Sequence, residues 1–205
     1  MKLGIICGSH RLQSQSEKVA RYIDKSLREQ QLCDETYFFS LAGNPLPLWE
    51  EAIWEGDPKW QALMAPIGEE LASCDGFVII APEWHGMVPS GLKNFFLIWT
   101  GGGELAHKPA LIVTVSVADG GSFPVAELRM SSYKNNRICF IPEHLIIRYV
   151  DTVFNENPED NKDSAQEYFE ARLGYCLNLL KEYALALGGV RASGAASLET
   201  YSSGM

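Results

Sequence analysis

The sequence lacks the signatures of several common classes of protein. Its five cysteines show no metal-binding or redox spacing, so we predict no metal site and reduced thiols at Cys7, Cys33, Cys74, Cys139 and Cys176. The 17 basic residues against 26 acidic ones give a net charge of −9, which argues against a nucleic-acid partner. No apolar run is long enough to cross a bilayer, and Met1-Lys2 precede too short an apolar run for a signal peptide. We therefore expect a soluble cytoplasmic protein with no membrane or nucleic-acid partner.

Two familiar nucleotide-binding motifs are absent as well. No Lys-Ser or Lys-Thr pair follows the turn at Gly8, which excludes a P-loop, and the Gly-x-Gly-x-x-Gly dinucleotide fingerprint is missing. The histidines show neither Ser-His-Asp nor metal-ligand spacing at His10, His85, His107 and His144. These absences remove the common dinucleotide, triphosphate and hydrolase sites from consideration.

Apolar runs alternate with helical periodicity along most of the chain. We predict strands over residues 2–7, 35–40, 76–81, 109–116 and 144–150, and helices over 14–30, about 60–71, 90–100, from about 124, and 163–187. Such alternation predicts an α/β fold of the flavodoxin-like, doubly wound type, with a five-stranded parallel sheet of order 2-1-3-4-5 and helices on both faces. We expect one domain over residues 1–187 and a flexible tail over 188–205.

The phosphate loop (residues 8–16), which follows the first predicted strand, has the composition of an anion site. Gly8 permits a tight turn, and the Arg11 guanidinium can bind two phosphate oxygens. Hydroxyl donors follow at Ser9, Ser14 and Ser16. A phosphate there requires the Glu17 carboxylate to turn away. The alternative is a plain capped helix, because Ser14-x-x-Glu17 is also a capping box.

The ring loop (residues 82–89) follows the third predicted strand and suits a flat ring. Pro82 stiffens the exit from the strand, and Gly86 allows the backbone to lie against the ring. The side chains that could flank the ring are Glu83, Trp84, His85 and Met87. The closing loop (residues 116–121) would lie opposite, with its amides facing polar ring atoms. In the open sheet we predict, ligands bind at the switch point between the first and third strands, so the loops together predict a mononucleotide site.

Each of these side chains also has a simpler interpretation. Trp84 could anchor a subunit interface, where tryptophan is enriched, and this is compatible with stacking on a ring. His85 could be a hydrogen-bonding or interface histidine rather than an acid, and Glu83 a solvated carboxylate. The sequence leaves these alternatives open.

With these loops described, the chain resembles the NADPH-dependent FMN reductase family of flavodoxin-like flavoproteins, which includes quinone, azo-dye and chromate reductases. The family's first motif, Gly-Ser-x-Arg-x-x-Ser, is matched by Gly8, Ser9, Arg11 and Ser14. Its second, Pro-Glu-Tyr-(Asn/His)-x-x-x-Pro-Gly-x-Leu-Lys-Asn, is matched by Pro82, Glu83, His85, Pro89, Leu92, Lys93 and Asn94. The chain departs from the pattern at three positions, with Trp84 for the usual Tyr, Ser90 for a Gly and Ile98 for an Asp.

The resemblance implies an FMN site and assigns residues to its two ends. The FMN phosphate would be held by Ser9, Arg11, Ser14, Gln15 and Ser16. The isoalloxazine would be lined by Pro82, Glu83, Trp84 and His85, with Ser116, Asp119, Gly120 and Gly121 opposite. No catalytic side chain is implied, because the cofactor carries the chemistry while the protein positions and tunes it.

The implied activity is a two-electron oxidoreductase. NADPH or NADH would reduce bound FMN, and a small acceptor such as a quinone, free flavin, azo compound or chromate-like oxidant would reoxidise it. We expect a homodimer or homotetramer assembled through the ring-loop side, because Trp84, Trp99 and the segment 49–60 place tryptophans near loop edges. Two alternatives remain: a flavodoxin-type electron carrier without NAD(P)H activity, and a flavin-free, partner-binding protein of the same fold.

Overall fold

Five parallel strands form the centre of the computed structural model, which describes residues 1–204. The strands are β1 (Lys2–Cys7), β2 (Glu35–Ser40), β3 (Gly76–Pro82), β4 (Pro109–Val115) and β5 (Cys139–Ile147). Their order is β2-β1-β3-β4-β5, which confirms the predicted flavodoxin-like topology. β3 and β4 are buried at every residue, as expected of apolar strands covered on both faces.

Helices cover both faces of this sheet. They are α1 (Gln15–Glu29), α2 (Pro58–Ser73), α3 (Ser90–Ile98), α4 (Ser122–Met130) and α5 (Asp163–Ala192), with short 3-10 turns at Glu51–Ile53, Val150–Thr152 and Pro158–Asp160. Side chains alternate across each strand, so Val78 and Ile80 of β3 pack in the core under α1 and α5. Phe77 and Ile79 point the other way, into the core under α2, α3 and α4.

The predicted bounds of the fifth strand were wrong. β5 begins at Cys139 and ends at Ile147, whereas the apolar run had suggested residues 144–150. Pro142 argues against a strand in the sequence, so the first half of β5 was not predicted. The proline is accommodated because β5 is an edge strand and its pairing with β4 shifts register between Ala110 and Ile112. The strand stops before Tyr149, whose φ of 50° lies in the left-handed region.

The last helix is longer than the sequence suggested. α5 continues through Gly188 and Gly189 to Ala192, beyond the predicted end at 187. The chain after it lies against residues 135–137, because Arg137 donates hydrogen bonds to the carbonyl oxygens of Tyr201 and Ser202. The division into a domain over 1–187 and a flexible tail stays a prediction. Within residues 1–204 no helix has the length and apolar character needed to cross a membrane.

Candidate functional site

The loops that follow β1, β3 and β4 meet at the carboxyl edge of the sheet and enclose a cleft of about 160 Å³. We call it the three-loop cleft. Its lining contains the predicted residues Ser9, Arg11, Ser14, Gln15, Ser16, Pro82, Glu83, Trp84 and Ser116, together with Val115, Val117 and Val150. The other predicted residues lie outside the lining, at His85, Asp119, Gly120 and Gly121. The fold therefore brings the predicted phosphate-binding and ring-binding segments to one place.

The phosphate loop is held by short-range hydrogen bonds. Ser14 is the N-cap of α1, and its hydroxyl accepts from the amide of Glu17 at 3.1 Å. The Ser9 hydroxyl accepts from the amide of Arg11 at 3.4 Å. In residues 1–204 we find no acceptor for the main-chain N–H groups of residues 12–16. A row of donors at a helix N-terminus is the arrangement that binds phosphate.

The charges around the phosphate loop are arranged for an anion. Arg11 is exposed and forms no ion pair with any residue in the range 1–204. The Glu17 carboxylate turns away from the loop, to Arg21 at 2.5 Å and to the Ser40 hydroxyl at 2.7 Å. The carboxylate that could have opposed a phosphate is thus neutralised elsewhere, while the arginine stays available.

Two further observations fit a bound phosphate group. The side-chain oxygen of Gln15 is buried in the cleft wall without a hydrogen-bond partner among the residues described. Turning the amide over would present its NH₂ group instead. Gly8 has no room for a side chain, because a Cβ atom there would lie 2.6 Å from the carbonyl oxygen of Ile80. The loop is consequently pressed against the end of β3, where a larger residue would push it outward.

The ring loop forms a small hairpin. Trp84 and Met87 exchange two main-chain hydrogen bonds of 3.1 and 3.0 Å, and both central residues have positive φ, His85 at 55° and Gly86 at 74°. Two central residues with positive φ define a type I′ turn, in which glycine is a preferred residue. His85 is exposed at the tip, whereas Trp84 lines the three-loop cleft and meets His10 edge-on, with ring centroids 4.5 Å apart. Trp84 therefore faces the cleft, and His85 faces away from it.

Three polar residues of the second sequence motif, Glu83, Lys93 and Asn94, bond neighbouring segments of the chain. The Glu83 carboxylate accepts from the Gly121 amide at 2.5 Å, so it ties the ring loop to the closing loop. Lys93 pairs with Glu127 at 3.1 Å, and Glu127 also accepts from the Val88 amide at 2.7 Å. Buried Asn94 bonds Pro47 and Trp49, each at 2.7 Å. Of these three motif residues, Glu83 lines the three-loop cleft, whereas Lys93 and Asn94 lie outside its lining.

Sequence reasoning missed a group of residues behind the closing loop. Arg148 and Tyr149 bond this loop from the end of β5, and the Thr114 hydroxyl donates to the Gly121 carbonyl at 2.8 Å. On the other side, Lys18 of α1 donates to the carbonyls of Val150 and Val153 at 2.7 and 2.8 Å. Nothing local in the sequence marks these residues, because their partners lie 7 to 135 positions away.

Burial changes the titration of two groups at this edge of the sheet. It lowers the pKa of Lys18 to about 8, against a weaker opposing effect of Asp151. It raises the pKa of Cys7, at the end of β1, to about 11, so the thiol stays protonated and is a poor nucleophile. Among residues 1–204 no cluster of His, Cys, Asp and Glu has the geometry of a metal site.

A larger cleft of about 710 Å³ runs along α2, but its cations already have protein partners. The buried Lys108 ammonium donates to the Leu71 and Ala72 carbonyls at the end of α2, at 2.8 and 2.7 Å. Arg191 bonds the Asp75 carboxylate at 3.2 Å. Unlike the three-loop cleft, this one does not combine an unpaired cation with a row of main-chain donors.

Comparisons with known proteins identify the family of the chain. A family model described as NADPH-dependent FMN reductase matches residues 1–151. An NADPH azoreductase from Bacillus sp. (strain OY1-2) is 25% identical over 188 residues, covering 92% of this chain and 99% of the relative. A quinone reductase from Escherichia coli (strain K12) is 34% identical over 74 residues, which are 35% of this chain and 39% of the relative.

A solved structure gives the same fold. The flavoenzyme NAD(P)H:(acceptor) oxidoreductase FerB from Paracoccus denitrificans superimposes with a TM-score of 0.69 at 16% identity. The alignment covers 89% of this chain and 98% of FerB. At this identity the likeness supports the architecture, whereas the family match depends on the sequence.

Proposed function

The chain belongs to the NADPH-dependent FMN reductase family of oxidoreductases, and we propose that it transfers two electrons from NADPH or NADH through bound FMN to a small acceptor. The observation that carries the proposal is the meeting of the phosphate loop and the ring loop in one cleft. The phosphate loop supplies donors without acceptors, and the ring loop supplies an aromatic wall. This combination suits a molecule with a phosphate at one end and a flat ring at the other.

We assign the two ends of the FMN site to different loops. Ser9, Arg11, Ser14, Gln15 and Ser16 would hold the phosphate through hydroxyl, amide and guanidinium donors. Pro82 and Trp84 would line the ring together with Ser116, while Glu83, Asp119, Gly120 and Gly121 would shape the ring-binding wall. His85 would contribute through its turn conformation, because its side chain is exposed at the hairpin tip.

FMN, when bound, would supply the two-electron chemistry between a nicotinamide and an oxidant, and the protein would supply binding, orientation and electrostatics. In this chain the donor row of the phosphate loop would fix one end of the cofactor. The contact between Trp84 and His10 would hold the Trp84 indole in place against the flavin ring at the other end of the cofactor. No side-chain acid or base is assigned a role in electron transfer.

The acceptor is the finer part of the proposal. The names of the relatives, an azoreductase and quinone reductases, favour azo compounds and quinones, and free flavin or a chromate-like oxidant remains within the proposed class. We also propose a cytoplasmic location, from the reduced cysteines expected of this sequence.

We propose that the chain assembles as a homodimer or homotetramer through its ring-loop side. Met87 of the ring loop is 48% exposed and Trp54 of the segment 49–60 is 71% exposed, whereas Trp99 is buried and is removed as an interface candidate. Exposed large apolar side chains are the feature that supports an interface here. Light scattering after size-exclusion chromatography tests this, and a monomer at micromolar concentration would contradict it.

The function is tested by absorption spectroscopy of the purified chain with FMN, followed by NADPH or NADH under anaerobic conditions. Flavin bands that bleach within seconds support the reductase. Bound flavin that stays oxidised with both nicotinamides would replace the reductase with an electron carrier. Failure to take up any flavin would leave the flavin-free, partner-binding alternative.

A further inference from the structure

The closing loop uses its carbonyl groups and its amide groups very differently. Four of its carbonyl oxygens, those of Ser116, Asp119, Gly120 and Gly121, accept hydrogen bonds from neighbouring elements. By contrast, the amides of Val117, Asp119 and Gly120 have no acceptor among residues 1–204. Val117 lines the three-loop cleft, whereas Asp119 and Gly120 lie outside its lining, so these three donors are open to a ligand or to water.

The residues that bind these carbonyls come mainly from the segment after β5. The Arg148 guanidinium donates through Nε to the carbonyls of Asp119 and Gly120 at 2.7 and 3.0 Å, and through Nη2 to the Ser122 hydroxyl at 3.1 Å. The next residue but one, Val150, donates its amide to the Ser116 carbonyl at 3.2 Å. One short segment thus holds both ends of the closing loop by their carbonyl oxygens.

Tyr149 also forms a hydrogen bond with the closing loop. Its hydroxyl donates to the Asp119 carboxylate at 2.6 Å, and this bond raises the pKa of the Tyr149 hydroxyl, so it remains a donor at neutral pH. Its backbone is in the left-handed region, with φ of 50°. A tyrosine in this conformation persists only where its surroundings hold it there. Since Arg148 precedes it and Val150 follows it, this turn sends the side chain of Tyr149 and the amide of Val150 to one loop.

We propose that Arg148 and Tyr149 are positioning residues that hold the closing loop with its free amides directed at the flavin ring, and thereby favour the reduced, more negatively charged flavin. The inference rests on the proposed function, since it needs FMN in the three-loop cleft. Neither residue belongs to the two sequence motifs, and neither needs to contact the cofactor. Oriented amides stabilise negative charge where it develops, and their effect depends on being fixed beforehand.

The test compares the affinities of each variant for oxidised and for reduced FMN, by anaerobic titration. Arg148→Met is expected to lower the preference for reduced over oxidised FMN about tenfold, which equals about 30 mV for a two-electron couple. Tyr149→Phe, which loses one hydroxyl, should change it in the same direction by about threefold, the smaller effect of a single hydrogen bond. Arg148→Lys keeps the charge without the planar fork and should rescue the preference only partly.

The matched control is Arg129→Met. Arg129 also donates to main-chain carbonyls, those of Ile141, Pro142 and Glu143 at 2.8, 2.9 and 3.3 Å, but it does not line the three-loop cleft. Its loss should leave the FMN preference unchanged. Circular dichroism tests whether each variant is folded. If Arg148→Met does not fold, the FMN preference of Tyr149→Phe alone tests the inference.

Three results would overturn the inference while leaving the proposed function intact. The first is an unchanged preference in both Arg148→Met and Tyr149→Phe with FMN still bound. The second is an equal change in Arg129→Met, and the third is full rescue by Arg148→Lys, which would mean that charge alone matters. A wild-type chain that binds no FMN would overturn the proposed function, and this inference with it.

Discussion

The phosphate loop and the closing loop border the same cleft but are held in different ways. Both present main-chain N–H groups that have no acceptor within residues 1–204. The side-chain hydrogen bonds of the phosphate loop come from its own residues, the Ser14 cap and the Ser9 hydroxyl, and main-chain bonds join Gly8 and His10 to neighbouring segments. The closing loop is held mainly by residues 28 to 38 positions away, namely Glu83, Arg148 and Tyr149, with a nearer bond from Thr114. One site is therefore built partly from local sequence and partly from tertiary structure.

This difference has a functional consequence. The side-chain bonds of the phosphate loop close within a few residues, so they depend little on distant side chains. The closing loop depends on side chains outside it, of which Arg148 and Tyr149 belong to neither sequence motif. We expect changes in the phosphate loop to act on phosphate affinity, and changes around the closing loop to act on the ring.

The largest expected effect is at Gly8, where the phosphate loop meets β3. In Gly8→Ala the new Cβ would lie 2.6 Å from the Ile80 carbonyl oxygen and 2.7 Å from Leu92 Cδ2. Relief of that overlap should cost about 2–3 kcal/mol of unfolding free energy and displace the loop. Urea unfolding measures the loss, and FMN titration should show affinity falling with it.

The control for this change is Gly189→Ala. A Cβ at Gly189 meets no atom within 4 Å, and the residue lies inside α5. Replacing glycine by alanine in an open helical position should stabilise the protein by up to about 1 kcal/mol. If Gly8→Ala were as stable as Gly189→Ala, the close approach between the phosphate loop and β3 would be wrong.

The next effect separates the two ends of the cofactor. Arg11→Ala should weaken FMN binding by about 1.5–3 kcal/mol, the worth of a hydrogen bond to a charged group. Riboflavin, which lacks the phosphate, should bind this variant as it binds the wild type. Isothermal titration with both ligands measures the contrast. Arg28→Ala, at the far end of α1, serves as control, and unchanged FMN affinity in Arg11→Ala would remove Arg11 from the site.

A smaller effect is expected at Glu83, on the ring side. Glu83→Gln keeps the size of the side chain but gives the Gly121 amide a neutral acceptor in place of a carboxylate 2.5 Å away. We expect a loss of about 1 kcal/mol in binding. FMN and riboflavin should lose affinity equally, because both carry the ring. A loss confined to FMN would mean that the two loops are not functionally separate.

Much of the fold could be predicted because its signals are local. Apolar runs and helical periodicity gave the element order, and alternation of strands with helices gave the parallel sheet. The errors lie where tertiary structure overrides a local signal. Pro142 reads as a strand breaker but is tolerated on an edge strand with a register shift, and Gly188 reads as a helix end although α5 continues through it.

The same division applies to the candidate site. Ser9, Arg11 and Ser14 could be predicted as candidates because turn, charge and cap residues follow a strand directly, and all three line the cleft. Arg148 and Tyr149 were missed because only strand register brings them to the closing loop. Glu83 was predicted to line the ring and lies in the cleft wall, but its hydrogen bond with Gly121 could not be predicted, since the partner amide belongs to a loop 38 residues on.

Lys18 of α1, the helix that follows the phosphate loop, hydrogen-bonds the segment that holds the closing loop. The titration of Lys18 gives the smallest effect that we predict. Its ammonium bonds the Val150 carbonyl at 2.7 Å, while the Val150 amide bonds the Ser116 carbonyl at 3.2 Å. Burial lowers the pKa of Lys18 from its ordinary 10.5 to about 8. Between these values the unfolded chain holds a proton that the folded chain has released, so this residue makes stability rise with pH.

Comparison of the wild type with Lys18→Met isolates this contribution. Buried thiols such as Cys7, whose pKa is raised, lower stability in the same alkaline range, but they are present in both chains and cancel in the difference. From pH 8 to 10.5 the stability difference should shift toward the wild type by about 1 kcal/mol, a value reduced for solvent screening of a half-exposed group. Urea unfolding across that range measures it. Stability curves that stay parallel would mean that the hydrogen bonds donated by the Lys18 ammonium offset its burial, so that its pKa is the same in the folded and unfolded chains.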